Sequence, residues 1–225
     1  INLDILKRLR YIYGSIITEE KTLGYAKQIN ELIYNYKSNS ASKKKSESWS
    51  EDTILLITYA DNINKGVTGK TLEDFTLFYK KYFSNFIDTI HFLPFFTSSS
   101  DGGFSVKNHE EIDPVFGNWE DIKKISQDAD IMTDLVLNHA SSQGKWYKNF
   151  IENKDPGQNY FFTVDESYDC TKVIRPRDHN LLKEVKLKNS SKTLWCTFSY
   201  DQIDLNFKNP DVLLEFIQLI IKFSS

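Results

Sequence analysis

Cysteine is scarce in this chain: two residues in 225, Cys170 and Cys196, in no CxxC pair. That excludes a disulfide framework and fits free thiols in a reducing compartment, so a cytoplasmic location is expected. Long apolar runs are also missing. None approaches the ~18 residues that a membrane-crossing helix needs, and no secretory signal is visible, so no membrane partner is expected. Nor does either sign of charge dominate. With 28 Lys and Arg against 31 Asp and Glu the net charge is −3, and no basic stripe argues for nucleic acid. The longest basic run, Lys43-Lys44-Lys45, lies among serines and reads as solvated linker. What the chain does have is apolar and aromatic content, 40% and 14%, enough to bury a sizeable core in one or two domains. It starts at Ile1 rather than Met, which suggests a segment of something longer.

Apolar spacing predicts two N-terminal helices, one carrying Leu3, Leu6, Leu9 and Ile12, the other Leu23, Ala26, Ile29, Ile33 and Tyr36. The stretch SNSASKKKSESWS (38–50) has the composition of a flexible connector. Strands are then predicted at TILLITYAD (53–61), TIHFLPFF (89–96) and IMTDLVLNH (131–139), alternating with helices over 71–86, 118–129 and 145–151. Residues 152–200 hold no sustained period and read as a long excursion of the kind that often carries function. A helix over 209–223 begins at a proline. The alternation predicts an α/β fold with a parallel sheet. Asp61, Asp101, Asn138 and His139 all fall just after strands, where the loops of such folds converge on one pocket.

Each chemically able residue has a plain reading beside a functional one. Asp101 in SSSDGGF suits a turn cap, or a carboxylate accepting from two sugar hydroxyls with Phe104 covering the apolar side of the ring. Asp134 and Asn138 share a face if DLVLNH is a strand, with His139 emerging at its end, and no further ligands stand near to make a metal site. His139 is equally a ligand contact or a buried, hydrogen-bonded histidine. Arg175 and Arg177, in VIRPRDHN, could hold phosphate or carboxylate bidentately or form surface ion pairs. Gln202, Asp204 and Asn206 in QIDLN could be turn chemistry alone.

In order along the chain, LITYAD, HFLPFFTSSSDGGFSV, GNWEDI, DLVLNHASSQGKWYKNF, IRPR and FSYDQIDLNFKNPDVLLEF resemble the sucrose phosphorylase branch of the α-amylase superfamily, glycoside hydrolase family 13. The likeness is densest from about residue 53 to 216. DLVLNH and QIDLN resemble superfamily-wide motifs, whereas LPFFTSSSDGGFSV with IRPR is similar to the sugar phosphorylases in particular. The helical lead LKRLRYIYG resembles the N-terminal extension of the glucosylglycerate and sucrose 6'-phosphate phosphorylase-like members.

The resemblance implies an incomplete (β/α)8 barrel: a helical extension and linker at 1–50, three βα units at 51–151, a small inserted region at 152–200, and at 201–225 the helix before a fourth strand. It implies that Asp101 and His139 hold glucosyl hydroxyls, that Phe104 is the aromatic platform, and that Gln202 lines the pocket. Arg177, supported by Arg175, would bind phosphate, while Asp134 would orient groups around the nucleophile, with Asn138 and Asp204 beside it. Asn108 stands where the family usually has Asp. The implied reaction moves an α-glucosyl group from a sucrose-like donor to inorganic phosphate with retention, using two carboxyl groups about 5–5.5 Å apart. Nucleophile, acid/base and stabilising carboxylates are all expected beyond Ser225, so residues 1–225 alone are expected to be inactive and not to fold cooperatively. No cofactor or metal is implied. An α-glucoside hydrolase or transglycosylase of the same superfamily, and a non-catalytic truncated remnant, stand as alternatives. The acceptor and the oligomeric state are not legible.

Overall fold

A computed structural model describes residues 2–39, 50–64, 66, 69–174, 177–188 and 190–224. Helix α1 (Leu3–Tyr13) is capped by the Asn2 side chain, which accepts from the Asp4 amide. It buries Leu6, Leu9 and Tyr13, whereas Leu3 is 77% exposed and Ile12 is exposed too. The buried stripe is therefore shifted by part of a turn from the expected one. Helix α2 (Glu19–Asn39) folds back on α1 with Ala26 and Ile29 buried between them. It takes in the first two residues of the expected connector; positions 40–49, with Lys43-Lys44-Lys45, lie outside the described residues.

Strand β1 (Leu55–Thr58), helix α3 (Thr71–Tyr82) and strand β2 (Thr89–Phe92) follow. Two expectations are corrected here. Helix α3 stops at Tyr82 rather than 86, leaving Phe86 exposed. The strand expected over 89–96 ends at Phe92, because Pro94 has no N–H to continue a ladder. The chain turns instead into an antiparallel pair, β3 (Phe96–Ser98) and β4 (Val106–Ile112), joined through a 3-10 turn over Asp101–Gly103. Helix α4 (Trp119–Ile125) starts with a capping box between Asn118 and Asp121.

Strand β5 (Asp130–Thr133) is shorter than the expected 131–139, and His139 opens a separate strand, β6 (His139–Ser141). Asp134 and Asn138 thus do not share the face of one strand: the segment between β5 and β6 leaves the sheet. Helix α5 (Lys145–Glu152) is where the spacing predicts it. Beyond it, β7 (Thr163–Val164), β8 (Leu182–Lys186) and β9 (Ser191–Trp195) form an antiparallel sheet in the order β7-β9-β8. Strand β10 (Gln202–Asp204) leads into α6 (Pro210–Phe223), with Pro210 in its first turn and Asn209 as its cap.

Strands β1, β2 and β5 lie side by side and parallel, Leu55 opposite Thr89 and Thr89 opposite Asp130. The core over this sheet is aromatic: Phe75 and Tyr79 from α3 meet Phe92, Phe95 and Phe96. A second core joins α5, β9 and β10 to α6 through Phe150, Leu194, Ile203, Val212 and Phe216. A third packs the α1–α2 hairpin on α6 through Leu213, Leu214 and Ile217. Helix α6 is apolar over most of its surface because Val212, Phe216 and Leu219 serve the second core, Leu213, Leu214 and Ile217 the third, and Phe223 reaches the first. The hairpin is also held by tyrosine hydroxyls: Tyr13 donates to the Phe207 carbonyl at 3.0 Å, Tyr25 to Asp211 at 2.6 Å and Tyr36 to the Ser224 carbonyl at 2.9 Å.

Candidate sugar-binding cleft

The loop from β3 to β4 makes an unusually sharp turn. Asp101, Gly102 and Gly103 take φ of 59°, 59° and 95° in succession. Glycine is at home there, and aspartate is among the side chains that tolerate it best. A Cβ on Gly103 would lie 2.3 Å from the Pro94 carbonyl, so no larger residue fits. This geometry leaves Asp101 exposed on a loop whose base is clamped by the Phe104 amide donating to the Asp101 carbonyl.

Strands β6 and β10 pair antiparallel, Asp204 opposite His139 and Gln202 opposite Ser141. Together with the β3–β4 loop they line a cleft of about 460 Å³. Asp101, Phe104, Asp134, Asn138, His139, Arg177 and Gln202 all border it. Leu135 and Val136 border it too, and so does Phe198, whose ring centre stands 5.2 Å from that of His139. Asp61 is exposed and, against expectation, is not among the residues that line the cleft. Arg175 lies outside the described residues.

The polar groups are tied to one another. Gln202, 2% exposed, donates from Nε2 to Asp101 Oδ2 at 2.8 Å. His139, 4% exposed, has Nε2 3.0 Å from the Phe104 carbonyl and 3.1 Å from Gln202 Nε2. A carbonyl oxygen only accepts, so Nε2 carries the proton and donates to Phe104, and the Gln202 amide is a neighbour of that bond. The other nitrogen, Nδ1, is then an acceptor, and it is buried without a partner among the described residues. Burial pulls the His139 pKa down, more than the Phe104 carbonyl and the charges of Asp204 and Asp101 raise it, so the ring is neutral at pH 7.

Asp204 accepts from the Thr197 amide and hydroxyl, both at 2.7 Å, yet burial still raises its pKa. Asp134 is held by His91 of the central strand β2, with Nε2 3.1 Å from Oδ2. Asn138 is exposed, and its carbonyl accepts from the Leu205 amide. Asn108, outside the cleft, accepts from the Glu110 amide at 3.0 Å, a local turn that an aspartate would make equally well.

Chemically, the cleft offers a carboxylate, an amide, two aromatic rings and one guanidinium beside a neutral, buried histidine. That set suits a neutral polyhydroxylated molecule with an anion near Arg177. A family model described as "Alpha amylase, catalytic domain" matches residues 81–223. The chain belongs to this family. It is 38% identical over 220 residues to the glucosylglycerate phosphorylase of Allomeiothermus silvanus, covering 97% of this chain and 38% of that protein. It is 31% identical to the sucrose phosphorylase of Streptococcus mutans, covering 75% of this chain and 36% of the relative. Among solved structures, sucrose 6F-phosphate phosphorylase from Thermoanaerobacter thermosaccharolyticum superposes with a TM-score of 0.67 at 29% identity, over 80% of this chain and 39% of the other. The α/β fold is thus that of the α-amylase family's barrel enzymes, and the chain spans well under half the length of these relatives. No described helix is long and apolar enough to cross a membrane.

Sequence reasoning did not single out Phe198 or Asp201. The first stands inside the quoted FSYDQIDLN motif and was findable there. The second stands in the same motif, but its hydrogen bonds come from serines of two distant segments, a pattern with no local signal.

Proposed function

We propose that this chain supplies the glucosyl-donor half of a retaining sugar phosphorylase, which transfers an α-glucosyl group from a glucoside to inorganic phosphate. The observation that carries the reading is the convergence of Asp101, His139 and Gln202, from three separate segments, on one cleft that Arg177 also borders. Asp101 accepts from sugar hydroxyls, and the neutral ring of His139 borders the same pocket as a second contact. Phe104 is the platform for the apolar face of the ring. Arg177, with Arg175, attracts phosphate. Asp134, Asn138 and Asp204 hold the surrounding groups.

In the same reading β1, β2 and β5 with their helices are the first three units of an eight-stranded barrel. Residues 1–50 are an added helical extension and linker, 152–200 an insertion, and 201–225 lead to the next strand. The nucleophile, the acid/base and the stabilising carboxylate come from sequence outside residues 1–225. The reaction needs no cofactor or metal, and the scarcity of cysteine fits a cytoplasmic enzyme. Glucosylglycerate is the donor to test first, since the relative named for it is similar over 97% of the chain.

The test is phosphate-dependent turnover by the intact protein. α-Glucose 1-phosphate should accumulate from glucosylglycerate or sucrose only when phosphate is present. Glucose released at the same rate without phosphate would assign a hydrolase instead. Arg177→Ala should raise the KM for phosphate more than it slows donor hydrolysis, and equal losses would remove Arg177 from the phosphate site.

A further inference from the structure

Asp201 is not part of the donor-binding set, yet four serine hydroxyls converge on its carboxylate. Ser142 donates to Oδ1 at 2.6 Å; Ser100 and Ser105 donate to Oδ2 at 2.9 and 2.7 Å, and Ser99 donates to the same oxygen. Ser99 is 2.6 Å from Ser141, whose Oγ accepts from the Gln143 amide. Each hydroxyl has one proton, so Ser99, having given its own to Asp201, accepts from Ser141. The Asp201 carbonyl accepts the Ser142 amide at 2.8 Å. No ion pair reaches Asp201 among the described residues, where the side-chain donors to its carboxylate are neutral hydroxyl dipoles.

The positions of those donors in the chain matter more than their number. Ser100 precedes Asp101, and Ser105 follows Phe104. Ser141 ends the strand that opens at His139, Ser142 follows it, and Asp201 itself precedes Gln202. Every serine in the cluster is therefore within three residues of a group that borders the cleft. A cation in place of these hydroxyls would tie Asp201 to one element. Hydroxyls from two segments that meet a carboxylate on a third tie all three, because each must point its proton at the same two oxygens.

We propose that Asp201 is the positioning residue of the glucosyl subsite: its charge orients the serine hydroxyls and so sets the spacing of Asp101, Phe104, His139 and Gln202. It acts from behind the cleft, without touching the sugar. The effect on donor binding rests on the function proposed above; the effect on geometry does not. Burial would raise the Asp201 pKa, but the hydroxyls of Ser142, Ser99, Ser105 and Ser100 outweigh it and hold the group below its ordinary range. The charge is therefore present throughout the neutral range.

Asp201→Asn keeps the shape and removes the charge, and its amide turns two donors toward hydroxyls that now donate. In the intact protein it should raise the KM for the glucosyl donor about tenfold, with the KM for phosphate unchanged, since loss of hydrogen bonds to a charged group is felt on that scale. The Gln202 side-chain amide resonances in a 1H–15N spectrum should move as well. Ser142→Ala, which keeps the charge and removes one donor, should give a smaller change of the same sign, and it decides the matter if Asp201→Asn does not fold. A folded variant with an unchanged donor KM and unmoved Gln202 resonances overturns the proposal. So does a loss of donor and phosphate affinity in equal measure, which is what general destabilisation would give. If the wild-type protein turns over no glucoside, the functional reading falls while the Gln202 resonances still test the positioning role.

Discussion

The parallel sheet and the seam behind the cleft are built from opposite materials. Around β1, β2 and β5 the contacts are ring on ring: Phe95 stands 4.8 Å from Phe96, 6.2 Å from Phe92 and 6.3 Å from Trp119. Around Asp201 they are hydroxyl on carboxylate. Apolar contacts are strong in sum but undirected, so they stabilise the sheet without fixing any one atom closely. Hydrogen bonds to a charge contribute less in total and specify position, because they weaken steeply with angle. A site that must hold Asp101 and Gln202 at 2.8 Å needs the second kind of material on top of the first.

The contrast can be broken from the sheet side. Phe95→Ala empties a fully buried position and should cost about 3–5 kcal/mol, read from the urea midpoint. Glucoside affinity of the protein that remains folded should change far less. If affinity falls as steeply as stability, the two regions are one unit and the distinction fails.

His109 sharpens the comparison because it sits where the two meet. Its ring stacks on Trp146 at 5.6 Å, and Nε2 is 3.0 Å from the Val136 carbonyl, beside the cleft. Burial, against the Val136 hydrogen bond, lowers its pKa from 6.5 to about 4. A depressed folded-state value means that the unfolded chain takes up the proton first. The stability due to neutral His109 is therefore complete above pH 6.5 and is lost as pH falls from 6.5 towards 4, in all on the order of 3 kcal/mol. His109→Phe should flatten that part of the pH–stability curve. A curve of unchanged slope would assign the acid loss to other groups.

From the cleft side, Gly103→Ala forces a Cβ against the Pro94 carbonyl at a φ of 95° and should cost about 1–3 kcal/mol. Here glucoside binding should suffer more than the unfolding midpoint, the reverse of Phe95→Ala. Smallest of all, Lys154→Ala removes a solvent-exposed pair with Glu152 that belongs to neither region. Neither the midpoint nor binding should move, and a clear shift would mean that surface charge contributes more here than either comparison allows.

Much of the sheet was legible in the sequence because LLIT and TIHF are short, β-rich stretches bounded by turn residues, although Ile57 of β1 is exposed. Strand β4 was not, although it is the longest strand. It buries Val106, His109 and Ile112, every third residue, because register shifts against β3 interrupt the two-residue period. The run IMTDLVLNH suggested one strand where there are two, since Leu135 and Val136 are apolar for the sake of the cleft and core rather than the sheet. Within the cleft, the residues that belong to compact motifs, Asp101, His139 and Gln202, were readable. Asp201 was not. Its partners, Ser99, Ser105 and Ser142, come together only after the chain has folded.

The α1–α2 hairpin leads to a conclusion about inheritance. Its apolar cluster includes residues of the hairpin and of α6 only, and none of its side chains borders the cleft. A gene could therefore gain or lose those codons, repainting one face of α6 in the exchange, while the groups that line the cleft pass unaltered to its descendants.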